Sequence, residues 1–222
     1  MIRSLLAILL LGLALTACSS SPEQGVTEQQ DQSPSYSAPD ASTMIPIALR
    51  IDSIKLDSRD DWVPLGIQGV DDVPVTPPGK KGQIEIPPLA KVNELGWFCP
   101  TKLPHCGAPI PGTVGPAVVV GHVNGNGKDG VFAHLARVKV GDLIEIDRQD
   151  GVTITFKATK ISVVKKTAFP TDEVYGDQPT PQLRLITCGG GDNSLVSTSA
   201  GRSYVNNTVV FAEELSQRPT HQ

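Results

Sequence analysis

The chain has 222 residues, with 19 Lys and Arg against 23 Asp and Glu, for a net charge of −4. A mildly acidic chain without a basic run excludes a nucleic-acid binder that works through phosphate contacts. With 21 Gly and 19 Pro and poor helical periodicity, it does not read as a helical bundle either.

The first residues read as an export signal. Arg3 supplies the positive start, and Leu5 to Leu15 is almost wholly apolar. About eleven residues make roughly 16 Å of helix, short of the ~30 Å of bilayer hydrocarbon, so the run suits a signal-peptide core better than a membrane span. It ends in Leu15-Thr16-Ala17-Cys18, which resembles the bacterial lipobox. There Cys18 becomes the lipidated first residue of the mature protein. An ordinary cleaved signal with a chance cysteine, giving a secreted protein, is the alternative. Residues 1–18 are therefore expected to form a lipoprotein-like signal peptide. Residues 19–43, rich in Ser, Pro, Gln, Asp and Glu, are expected to form a disordered tether. Residues 44–215 should be one compact domain and 216–222 a flexible tail.

Within the domain the signals are short strands and turns. Ile47 to Ile51, Gln83 to Ile86 and Leu143 to Asp147 alternate. Asp150-Gly151 separates the last of these from Val152 to Lys157, a hairpin signal. Lys160 to Val164, Leu183 to Thr187 and Thr208 to Ala212 are β-branched runs. Ala117 to Val120 and, apart from Arg184, Leu183 to Ile186 are apolar at consecutive positions, as in strands buried on both faces. Lys91 to Trp97 and Val131 to Leu135 are expected to form a helical turn or two each. About eight strands with regular turn punctuation predict an all-β domain, a closed or nearly closed barrel with one or two short helices.

The cysteines sharpen the reading. Setting aside Cys18 leaves three of the four. Cys99 and Cys106 bracket a short loop with two prolines, and a disulfide there would contribute about 2–3 kcal/mol. A zinc site from Cys99, His105 and Cys106 is the weaker reading, because no second pair of ligands has the usual spacing. No other cluster calls for a metal, and no cofactor is expected. Cys188 remains unpaired, at the end of Leu183-Arg184-Leu185-Ile186-Thr187 and before Gly189-Gly190-Gly191. A strand that delivers a thiol to its own end and opens into a glycine loop presents a nucleophile with room for a substrate backbone. Upstream, Ala117 to Val120 ends in Gly121-His122-Val123-Asn124. A thiol and an imidazole at two strand ends are the raw material of a cysteine-nucleophile enzyme. His134 reads as packing, and Trp62 and Trp97 as core or rim aromatics.

Gly-His-Val-Asn at 121–124, Thr-Cys-Gly-Gly at 187–190 and Val-Val-Phe-Ala at 209–212 occur in the order and strand context of sortases. The set resembles most the class E/F-like enzymes of actinobacteria. Gly96-Trp97, Gly141-Asp142 and Ala168-Phe169-Pro170 before Val174-Tyr175-Gly176 support it across nearly the whole domain. The resemblance implies an eight-stranded sortase β-barrel. It also implies a transpeptidase that cleaves a C-terminal Leu-Pro-x-Thr-Gly-like sorting signal through a thioacyl enzyme. Partners would be surface proteins bearing that signal and an amine acceptor, a cell-wall peptide or a pilin lysine. Cys188 would be the nucleophile and His122 the general acid and base. The family's arginine corresponds best to Arg202, with Asn207 as the substitute donor to the oxyanion. Arg184, four residues before Cys188, reads as structural. Thr187, and Phe169 and Tyr175 in the loop from Lys165 to Pro181, are expected to touch substrate. The protein would sit on the outer face of the cytoplasmic membrane, anchored through Cys18.

Two competing readings remain. An L,D-transpeptidase also pairs Cys with His on a β scaffold, but places them close together in sequence. A non-catalytic surface lipoprotein could keep a sortase-like barrel for binding.

Overall fold

The computed structural model describes residues 42–59, 62–65, 67–68, 83–84, 86–100, 106–191, 194–198 and 201–220. The expected signal peptide with Cys18, nearly all of the tether, His105 and His221 lie outside them. Among the described residues no helix is long and apolar enough to cross a membrane.

The strands in chain order are β1 (Pro46–Ile51), β2 (Leu56–Arg59), β3 (Trp62–Leu65), β4 (Ile67–Gln68), β5 (Gln83–Ile84), β6 (Leu95–Phe98), β7 (Gly115–Gly121), β8 (Asn124–Gly125), β9 (Lys128–Asp129), β10 (Leu143–Arg148), β11 (Val152–Lys165), β12 (Pro181–Cys188), β13 (Leu195–Thr198), β14 (Gly201–Tyr204) and β15 (Asn206–Pro219). The α-helix, α1, is a single short element, Thr171–Tyr175. Nine strands share one sheet in the order β2-β1-β10-β11-β15-β12-β7-β6-β3. The eight from β1 round to β3 make the expected nearly closed barrel, with β1 and β3 coming into contact. β2 extends the edge of β1 as a hairpin. Pairing is antiparallel except between β7 and β12 and between β3 and β6.

Strand alternation sorts the side chains. Leu49, Ile51, Leu95, Ala117, Val119, Ile144, Ile146, Ile154, Phe156, Leu183, Leu185 and Val210 fill the barrel interior, closed by Phe132 and Leu135. Each such side chain contributes about 1.5–3 kcal/mol by leaving water. The outer face of β7, β12 and β15 carries a second cluster, Val118, Ile186, Val209 and Phe211, covered by Val174 of α1 and by Phe98. Burial on both faces is why β7 reads as an unbroken apolar run, and why β12 does so apart from Arg184 between Leu183 and Ile186.

Some of these expectations change. Val152 to Lys157 and Lys160 to Val164 are one strand, β11, with a register shift between Ala158 and Lys160. The extra residue reverses the alternation. Ile161 therefore packs on the interior, while Lys160 faces outward over the Phe211 ring, 5.0 Å from its centroid. Lys91 to Trp97 is not helical: a 3-10 turn at Leu89–Lys91 leads into β6, whose four residues are all buried. Such a segment gains more by pairing with β7 and β3 than by forming a helix with an exposed side. Val131 to Leu135 is a run of turns, and the 3-10 turn there is Leu135–Arg137. β15 also carries the chain through Pro219, paired with Val152, so the first residues after 215 continue the sheet.

Candidate active site

β7 and β12 run parallel with Val120 beside Ile186. One step further, the Thr187 hydroxyl donates to the Gly121 carbonyl at 2.8 Å. The next step brings His122 and Cys188 to adjoining ends of strands that lie about 4.8 Å apart. Parity puts Arg184, Ile186 and Cys188 on one side of β12 and Val118 and Val120 on the matching side of β7, and His122 follows one residue past the end of β7. On the other flank of β12, Asn207 of β15 pairs directly with Cys188. Opposed Cβ atoms of such a pair stand about 4.5–5.5 Å apart. Thiol and carboxamide thus share one face of two neighbouring strands, with His122 just past the end of the third.

The histidine is held from several sides. It is 9% exposed, and Nε2 lies 2.6 Å from the Pro87 carbonyl. A carbonyl oxygen only accepts, so Nε2 carries the hydrogen and Nδ1 is left for proton transfer. Pro87 precedes Pro88, which restricts its backbone to extended conformations and fixes the direction of that carbonyl. Behind the ring, the Phe132 amide donates to the His122 carbonyl at 2.9 Å. A Cβ on Gly130 would meet that carbonyl oxygen at 2.3 Å, so only glycine allows the loop to close this tightly.

The thiol sits differently. Cys188 is free and half-buried. The three glycines after it have φ of 91°, 93° and 72°, the left-handed region that disfavours side chains. The loop is tied to β15: the Gly189 amide donates to the Asn206 carbonyl at 2.8 Å, the Asn206 carboxamide to Gly190 O at 3.1 Å, and the Thr208 hydroxyl to Gly189 O at 3.1 Å.

The remaining expected residues fall into place unevenly. Phe169 and Tyr175 join the outer cluster on the Cys188 face. Their centroids are 6.2 Å apart, and Tyr175 meets Phe98 edge-on at 5.9 Å. Burial pushes the Tyr175 phenol well above its ordinary pKa. Thr187, expected to touch substrate, is buried with its hydroxyl on the Gly121 carbonyl, on the opposite side of β12 from its neighbour Cys188. Arg202 lies on β14 opposite Ser197, within the β13–β14 ribbon, and its side chain lies outside the described residues. Arg184 is buried with its guanidinium 4.7 Å from the Phe211 centroid, its Nε without a partner, and its pKa lowered to about 10 by desolvation. Cys99 and Cys106 form the expected disulfide beside Trp97, which takes both sulfurs away from the zinc reading. Pro87 and Gly130 escaped the sequence reading. One acts through its backbone carbonyl and the other through a missing side chain, and neither leaves a chemical signature in the sequence.

The Sortase domain family model matches residues 74–215, a span that contains both His122 and Cys188. No curated protein matches the chain by sequence. Among solved structures, sortase C-3 of Streptococcus pneumoniae is similar at 14% identity and a TM-score of 0.50, over 78% of this chain and 63% of that one. Sortase C2 of pilus island 1 from group B Streptococcus aligns at 18% identity and TM-score 0.48, over 76% and 73% of the two chains. Sortase C-1 of Actinomyces oris aligns at 19% identity and TM-score 0.48, over the same 76% and 73%. The S. pneumoniae likeness supports a common fold, with the chain spanning less than two thirds of that relative.

Proposed function

The chain belongs to the sortase domain family, and on that premise we propose that it is a cell-surface cysteine transpeptidase. Its substrate would be a protein with an LPxTG-like C-terminal sorting signal. The single observation that carries the reading is Cys188 paired with Asn207 at a strand end, with His122 just past the end of the parallel neighbour strand. Cys188 passes its proton to His122 Nδ1 as Sγ attacks the scissile carbonyl carbon, and the C–N bond breaks as His122 gives that proton to the leaving amine. The thioacyl enzyme is then attacked by the acceptor amine, whose proton passes to His122 as the C–S bond breaks. Asn207 or Arg202 donates to the developing oxyanion. The aromatic wall of Phe169 and Tyr175 receives the apolar part of the signal. The ordered motifs favour a class E/F-like enzyme. Lipidation at Cys18 would hold it on the outer face of the cytoplasmic membrane, where a cell-wall peptide or pilin lysine is the acceptor.

Intact-mass spectrometry with a panel of sorting peptides tests this. A thioacyl adduct on the wild type and none on Cys188→Ala is the expected result. No adduct with any peptide would favour the non-catalytic lipoprotein instead.

A further inference from the structure

Tyr204, the last residue of β14, reaches both halves of the site. Its ring lies against the glycine that follows Cys188: a Cβ on Gly189 would meet Tyr204 Cδ1 at 3.1 Å and Cε1 at 3.2 Å. Its hydroxyl accepts a hydrogen bond of 2.6 Å from the carboxamide of Asn124, two residues after His122. The glycine loop has no side chain of its own at that point and takes three left-handed residues in succession. Its position therefore depends on what packs against it. The His122 strand end is fixed on its other side by Pro87 and Gly130. We propose that Tyr204 is a positioning residue that clasps the Cys188 loop to the His122 loop and sets the separation of thiol and imidazole.

The geometry gives each part of the side chain one task. The ring holds Gly189, and the hydroxyl holds Asn124. Tyr204→Phe keeps the first and removes the second, and Asn124→Ala removes the second from the other side. Two variants that break the same bond should cost the same singly and together. A looser thiol–imidazole pair reacts more slowly without binding substrate less well, so the loss should fall on kcat and leave KM alone.

The inference rests on the transpeptidase reading, but one of its tests does not. Full-length wild type, Tyr204→Phe, Asn124→Ala and the double variant are compared for thioacyl formation on a sorting peptide and for Cys188 alkylation by iodoacetamide. The melting temperature is followed as a check on folding. The expected result is a loss of about tenfold in kcat with KM within about twofold, a double variant no worse than either single one, and a parallel slowing of alkylation. Rates within twofold of the wild type, multiplied losses in the double variant, or faster turnover would overturn the clasp. If the wild type forms no thioester at all, alkylation still decides. Slowing in all three variants would retain the clasp while the transpeptidase reading falls, and unchanged alkylation would remove the clasp itself.

Discussion

Two regions of the barrel are built on opposite principles. On the flank where β1, β10, β11 and β15 meet, charge is matched throughout. Arg50 reaches Asp147 at 2.6 Å and Glu145 at 3.1 Å. Arg218 reaches Glu145 at 2.8 Å, and the Thr153 hydroxyl donates to Asp147 at 2.7 Å. At the end where β7, β12 and β15 carry His122, Cys188 and Asn207, the backbone instead takes three left-handed glycines in succession. Nearby on the same face, Arg184 is buried with an unpartnered Nε. The first region is satisfied and regular, as a structural girdle should be. The second is built from backbone that only glycine adopts readily, and near it one buried guanidinium is left incompletely bonded among the described residues.

That contrast can be broken most severely at Gly190. Its φ is 93°, and a Cβ there would stand 2.3 Å from the Thr208 hydroxyl, which is buried and already bonded to Gly189 O. Gly190→Ala should cost about 2–4 kcal/mol and abolish Cys188 acylation, read by denaturant unfolding and intact mass. Gly151→Ala is the control. Its φ is 78° with nothing within 4 Å of the added Cβ, so it should cost about 1 kcal/mol and leave acylation intact.

The oxyanion donor comes next in size. Removing the true donor should lower kcat about 10²–10³-fold. Arg202→Ala and Asn207→Ala measured side by side assign the role. Turnover within a few-fold of wild type in Arg202→Ala would exclude that arginine.

The matched flank is tested by acid. The Arg50 hydrogen bond, with Thr153, holds Asp147 below the usual carboxylate range; Arg218 and Arg50 hold Glu145 down against desolvation. A depressed folded pKa contributes stability that is present above the unfolded value and lost as pH falls through the folded one. Stability should therefore fall below about pH 4. Arg50→Ala should cost about 3 kcal/mol at neutral pH and flatten that acid limb, without changing the alkylation of Cys188. Apart from the Gly151→Ala control, the smallest effect is Thr187→Val, which removes the hydroxyl that donates to the Gly121 carbonyl. A loss of about 1–2 kcal/mol is expected in thermal unfolding.

How much of this was legible in the sequence follows from which residues speak through chemistry and which through backbone. β7 and β12 were visible because two buried faces leave almost no polar position in the run, Arg184 being the exception. The bulge at Ala158 to Lys160 was not, since Lys157-Ala158-Thr159-Lys160 reads equally well as a gap between strands. β6 was misread because four buried residues in a row carry no period of two. Thr187 was expected to touch substrate, and the bond of its hydroxyl to Gly121 O was not visible because it joins residues 66 positions apart. Cys188 and His122 stood out as the unpaired thiol and the imidazole at strand ends. Pro87, Gly130 and Tyr204 work through a carbonyl, an absence and a reach across two loops, and only the folded chain brings them together.

The most direct test of the central claim is intact-mass spectrometry of wild type and Cys188→Ala after incubation with sorting peptides, with alkylation of the thiol as the parallel reading. A mass increase matching the acyl fragment on the wild type alone is the predicted result. A wild type that alkylates readily yet never acquires an acyl group from any peptide would contradict it.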